Sequence, residues 1–112
     1  MAKSREVDLE SKFQGELIKD LNTLLPGCLI LKNDSAYIQG IPDLAIFYKS
    51  NWAMLEVKAS QRSVHQPNQD YYVDLLDGWS FAAFIYPENK ETILDELQQA
   101  FRTRRSARIS QR

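Results

Sequence analysis

The sequence predicts an α/β protein, a central mixed sheet of about four strands flanked by helices in the order αβββαβα. Three observations predict it. Apolar residues recur at helical spacing near both ends of the chain. Two β-rich runs in the middle flank a tight-turn tripeptide. A further apolar, aromatic run follows a helical pattern that a glycine interrupts.

The first helix is expected over Asp8–Leu25, with Asp8 as a candidate N-cap and Pro26-Gly27 as a stop signal. Leu9, Phe13, Leu17, Leu21, Leu24 and Leu25 supply its apolar stripe. Cys28–Leu31 is a short apolar run and reads as a strand, whereas Lys32–Gly40 is polar and reads mostly as a loop. Asp43–Tyr48 and Trp52–Lys58 are β-rich, and Lys49-Ser50-Asn51 joins them as an antiparallel hairpin. Ala59–His65 is polar and reads as a mobile connection. Pro67 can open a helix at its first position, to run to Leu76 and stop before Gly78. Trp79–Tyr86 reads as a buried strand that Pro87 ends, and Glu88–Phe101 as a closing amphipathic helix.

A length of 112 residues fits a single domain, and 44% hydrophobic with 26% charged residues is the composition of a globular chain. One cysteine, Cys28, excludes an internal disulfide and a cysteine-based zinc site and points to a reducing compartment. Within its apolar run it reads as an inert core thiol. No apolar run approaches the ~18 residues of a membrane span, and the polar Met1–Asp8 segment is not a signal peptide. The net charge of −1 hides an asymmetry. Residues 102–112 hold five of the 14 basic residues and no acid, which leaves nine against 15 acids, or −6, on residues 1–101. A basic tail on an acidic body suggests phosphates at one place and cations at another, or a tail that only solubilises.

The hairpin carries the chemistry. If its turn is centred on Ser50-Asn51, Asp43 lies opposite Lys58 with Glu56 as diagonal neighbour, all three on one face. Opposite and diagonal positions are roughly 5–8 Å apart, so two such carboxylates can share a divalent cation. Leu44, Ile46, Leu55 and Val57 fall on the other face and can anchor the hairpin to a core. Buried charges are costly unless paired or metal-bound. Two readings follow: a cation site, or a cross-strand Asp43–Lys58 ion pair at a sheet edge. On a helical wheel Glu10 lies inside the apolar arc of the first helix, with Glu16 and Asp20 at its margin. Glu10 therefore either faces the sheet as a third inward acid or merely favours the helix dipole. Gln69 shares the apolar face of the helix after Pro67, where a phosphate, a water or a backbone group can satisfy it. His65, the one histidine, reads as an ordinary loop residue, and it excludes a histidine-rich metal site. Four glycines form no phosphate-binding loop.

Gly40-Ile41-Pro42-Asp43, followed after twelve residues by Glu56-Val57-Lys58, resembles the PD-(D/E)XK nuclease motif. Glu10 on the first helix and Gln69 on the helix after the motif match positions frequent in that superfamily. The Gly-x-Pro-Asp spelling and the small size most resemble VRR-NUC nucleases and Holliday junction resolvases of archaeal or phage type. The resemblance departs in the first helix, where Glu10 and Glu16 compete for one acidic position, and the wheel favours Glu10.

The resemblance implies a restriction-endonuclease-like fold and hydrolysis of DNA phosphodiesters. Asp43, Glu56 and the Val57 carbonyl would hold Mg²⁺ or Mn²⁺, with Glu10 binding directly, through water or at a second ion. Lys58 would orient water or stabilise charge, and Gln69 would position the lysine or a phosphate. Arg102, Arg104, Arg105 and Arg108, with Lys32 and Arg62, would grip the DNA backbone. It further implies a homodimer on branched or otherwise non-linear DNA, in recombination or repair, in the cytoplasm of a prokaryotic cell or phage-infected host. Rival expectations are another repair or replication nuclease acting on nicks or ends, and a non-catalytic nucleic-acid-binding module.

Overall fold

The structure, a computed structural model, describes the backbone of residues 2–110 and the side chains of residues 5–103. The chain is α/β. Its elements are α1 (Ala2–Leu24), β1 (Leu29–Lys32), β2 (Leu44–Tyr48), β3 (Asn51–Val57), α2 (Gln69–Trp79), β4 (Phe81–Ile85) and α3 (Lys90–Ser110). The type and order of every element agree with the sequence reading.

The four strands lie in the order β1-β2-β3-β4. The β1–β2 and β2–β3 pairs are antiparallel and β3–β4 is parallel. A parallel pair cannot close through a tight turn, so α2 makes the crossover from β3 to β4. Alternation along the strands separates two apolar faces. Leu44, Ile46, Ala53, Leu55 and Val57 pack with Phe13, Leu17 and Leu21 of α1 and with Leu94, Leu97 and Phe101 of α3. On the other face Val73 and Leu76 of α2 pack with Ala82, Trp52, Met54 and Phe84. No helix among the described residues is long and apolar enough to cross a membrane.

Several expected boundaries are corrected. α1 begins at Ala2, so Asp8 lies inside the helix and is not its cap. Leu9 is about half exposed and Leu24 is exposed too, so neither belongs to the buried stripe that Phe13, Leu17, Leu21 and Leu25 form. α2 starts two positions later than Pro67 could allow: Asn68 is its N-cap, with φ 71°, Gln69 is its first residue, and the helix runs through Gly78 to Trp79. α3 continues beyond Phe101 to Ser110, because this stretch is rich in Arg, a strong helix former, and no Gly or Pro interrupts it.

The hairpin register also differs. Tyr48 pairs with Asn51 and Leu44 with Leu55, so the turn is the two residues Lys49-Ser50 and not Ser50-Asn51. Lys49 takes the positive φ of 57° that such a turn demands. Moving the turn by one residue shifts the pairing by two, which preserves every face. Continuing the register by one step sets Asp43 opposite Glu56, not Lys58. The edge ion-pair reading falls with it, because β2 and β3 are the two central strands.

Candidate active site

Asp43 precedes β2 and Lys58 follows β3, so both stand at one end of the sheet, where the chain leaves for α2. A cavity of about 260 Å³ opens there, and Glu6, Glu10, Asp43, Glu56, Lys58 and Gln69 are among its lining residues. Glu56 and Lys58 are only 2% and 5% exposed, so their charges must be satisfied inside the protein.

Lys58 is held at three points. Its Nζ donates to Gln69 Oε1 at 2.7 Å and to the Val64 carbonyl at 3.0 Å, and lies 3.8 Å from Glu56 Oε2. Gln69 closes the circuit: its Nε2 donates to Glu56 Oε2 at 3.0 Å, and its Oε1 also accepts from the Gln66 N–H at 2.8 Å. A side-chain amide suits this place because it offers an acceptor to an ammonium and a donor to a carboxylate at once. The Asp43 carboxylate accepts from the Val57 N–H at 2.9 Å.

The acids crowd one another. Glu56 Oε1 is buried and no donor reaches it. The Asp43 carboxyl belongs to the residue opposite Glu56 across the strand pair, close enough for each group to shift the other's pKa. Burial and the Asp43 charge push Glu56 up to about 8, only partly opposed by Lys58. Burial also raises Asp43, and burial followed by the Asp43 charge raises Glu10. Two carboxyls in this position share either a proton or a cation.

Of the residues singled out in the sequence, Glu10, Asp43, Glu56, Lys58 and Gln69 all meet at this cavity. Glu16 does not; it lines a separate surface groove with Lys12, Phe13 and Lys90. Val57 offers Asp43 its N–H, and its side chain points into the core. Lys32 and Arg62 are exposed and do not line the cavity, although Arg62 sits in a turn beside the lining residue Ser63. Arg102 lines a groove with Tyr48, Lys49 and Asn51, at the hairpin turn and so at the opposite end of the sheet. The side chains of Arg104, Arg105 and Arg108 lie outside the described residues. Among the described residues, no group of three His, Cys, Asp or Glu side chains is placed to hold a metal ion by itself.

Three contributors escape sequence reasoning. Glu6 lines the cavity and accepts from Ser63 Oγ at 2.7 Å. Its spacing of four from Glu10 puts both on one helix face, a signal present in the sequence. The Val64 carbonyl has no such signal. His65 stacks on Phe84 with ring centroids 4.0 Å apart, and its Nδ1 lies 2.8 Å from Asp70 Oδ1. With the Ser60–Ser63 turn, these contacts tie down the segment expected to be a mobile connection.

Comparison of the chain with protein-family models, with curated proteins and with solved structures returns no match.

Proposed function

We propose that the chain is a divalent-cation-dependent DNA endonuclease of PD-(D/E)XK type, with Asp43, Glu56 and Lys58 at its centre. One observation carries the reading: the Asp43 and Glu56 carboxyls adjoin in a buried cavity, with Glu56 Oε1 lacking any donor, beside a lysine aimed by Gln69 and Val64. A purely structural Glu56–Lys58 pair gives no reason for a second carboxyl, that of Asp43, to crowd the first. The donor set is all oxygen, which suits Mg²⁺ or Mn²⁺, and Mg²⁺ completes its shell with waters when protein ligands are few. That accommodates the lack of a three-residue ligand cluster among the described residues.

Asp43 and Glu56 would hold the ion, together with the Val57 carbonyl, and Glu10 would reach it directly or through water. A bound cation supplies neutralisation of phosphate charge and lowers the pKa of water. The chain's own residues do the rest. Gln69 keeps the Lys58 ammonium and the Glu56 carboxylate in register, so that neither needs to reorganise when substrate arrives. Lys58, desolvated and fixed, would orient the attacking water or stabilise the charge growing on the phosphate. Glu10 and Glu6 would keep the cavity anionic, and so selective for cations until an ion is bound.

The preferred substrate is branched DNA, cut by a homodimer in the manner of a junction resolvase, because two strands must be cleaved symmetrically. β1 is an edge strand with Leu29 and Leu31 exposed, a surface open to pairing with a second copy. Nicks or ends are the alternative substrates. A non-catalytic module is disfavoured by the retained, costly burial of Glu56 and Lys58.

The test is cleavage of linear, nicked, flapped and four-way DNA with and without Mg²⁺. The expected result is Mg²⁺-dependent cutting, strongest on the four-way junction, reduced at least ~100-fold by Asp43→Asn or Lys58→Ala. Circular dichroism checks that both variants fold, and sedimentation on junction DNA reads the dimer. No cleavage by the wild type, or equal cleavage by Asp43→Asn, removes the catalytic reading. A monomer on junction DNA removes the resolvase.

A further inference from the structure

We propose that the loop between β1 and β2 is a binding site for an unpaired nucleobase next to the phosphate being cut. A second cavity of about 450 Å³ adjoins the acidic one and is lined by Asn33, Asp34, Tyr37, Ile38, Ile41 and Met54. Ile41 lines both cavities and is the wall between them. The two differ in chemistry. The first is rich in carboxylates, while the second is apolar and aromatic with one amide and one acid at its rim. An apolar wall and the Asp34 charge both disfavour a phosphate there, but they suit a flat, uncharged ring.

Tyr37 is 85% exposed, the most exposed of the large apolar and aromatic side chains described. It is nevertheless presented by an ordered turn. The Asp34 carbonyl accepts from the N–H groups of Tyr37 at 3.1 Å and Ile38 at 3.3 Å, and Asp34 Oδ1 accepts from the Ala36 N–H at 2.9 Å. Ile41 N–H donates to the Ile38 carbonyl at 3.2 Å. The loop is also joined to the reacting end, since the Asn33 N–H donates to the Asp43 carbonyl at 2.8 Å. Asn33 Nδ2 donates to the Pro42 carbonyl at 2.9 Å and lies 3.6 Å from Met54 Sδ, which fixes the Asn33 side chain against the sheet.

A tyrosine carried on an ordered turn needs no backbone reordering when a ring stacks on it. Base–aromatic stacking is independent of sequence, because every base has a π face. A base within a duplex has both faces covered and cannot enter a concave pocket. The loop therefore selects DNA with an unstacked base at the cleavage position, as at a flap, a mismatch or a branch point. This inference rests on the nuclease reading for the identity of the ligand.

The experiment is titration in EDTA, where no cutting occurs, of a duplex with one unpaired 2-aminopurine and of the same duplex fully paired. The wild type is expected to quench the unpaired probe. Tyr37→Ala should bind that probe about 10-fold more weakly. Tyr37→Phe should bind it as the wild type does, and all three proteins should bind the paired duplex equally. Equal affinity of Tyr37→Ala and wild type for the unpaired probe overturns the proposal. So does an equal loss on both duplexes, or a changed sedimentation coefficient of free Tyr37→Ala, which would make the pocket a contact between copies. If the wild type cuts DNA with Mg²⁺ but shows no stacking, only this inference fails. If it stacks the base but never cuts, only the nuclease reading fails.

Discussion

Glu56 sits where burial, a neighbouring carboxyl and a lysine compete, and the outcome has a sign that can be measured. Its pKa is 4.5 in a solvated chain and about 8 in the folded protein. Between these values the folded state binds a proton that the unfolded state has released. Stability without cations is therefore full below about pH 4.5 and falls as pH rises toward about 8. Asp43 and Glu10 are raised as well and act in the same direction. A cation competes with the proton for the same oxygens, so Mg²⁺ or Mn²⁺ should raise the melting temperature more at about pH 8 than at about pH 5.5. In Glu56→Gln the fall in EDTA should flatten and the cation response should shrink. Calorimetry at both pH values decides the point. Rising stability with pH in EDTA, or an unchanged cation response in Glu56→Gln, counts against the shared-proton site. The residue types were legible in the sequence, but the placing of Asp43 directly opposite Glu56 was not, because it depends on a turn shifted by one residue.

At the scale of elements, two backbone devices aim the site. The Lys49-Ser50 turn sets the register that places Asp43 against Glu56. The second is the approach of Gly40 to the start of α2. Gly40 has φ 93°, and a Cβ there would stand 2.6 Å from Asn68 Cβ, 2.7 Å from the Asn68 carbonyl carbon and 2.9 Å from the Pro67 carbonyl oxygen. Most of those atoms are backbone and cannot swing aside. Gly40→Ala should cost ~1–3 kcal/mol, read as a lower denaturant midpoint with an unchanged slope. Because Gly40 neighbours Asp43 in the chain and abuts the helix that carries Gln69, the variant should also lose cleavage rate. A variant as stable and as active as the wild type would show that this contact aims nothing. The glycine was visible in the sequence as part of the Gly-x-Pro-Asp run; its packing partner, 28 residues further on, was not.

At the scale of the whole molecule, the acidic cavity and the one described arginine of the basic segment stand apart. The acidic cavity lies at the end of the sheet where β3 leaves for α2, while Arg102 stands near the hairpin turn at the other end. If the basic segment holds DNA, the contact is made away from the cavity, and the strand must pass along the body. Removal of residues 104–112 keeps Phe101 and the core intact while deleting four arginines. DNA affinity should fall, and the slope of log affinity against log salt should flatten by about 0.9 for each phosphate that is no longer neutralised. Cleavage at saturating DNA should be unchanged. Anisotropy titrations over a range of salt measure this, and an unaltered slope would make the segment a solubilising tail.

The sequence by itself determined the element types and their order, most of the apolar face of the first helix, and which charged and amide side chains could meet at one end of the sheet. It could do so because side-chain periodicity is a local property, 3.6 on a helix and two on a strand. A slip of two residues leaves the strand faces unchanged. Tertiary structure alone decided which carboxylate opposes which, the pinning of Lys58 by Val64 and Gln69, and the placing of Tyr37 beside the acidic cavity. It also decided that β2 and β3 are central strands, so that Asp43 and Lys58 are not an edge pair. Those facts depend on where a turn closes and how a loop meets a distant helix, and neither leaves a periodic trace in the chain.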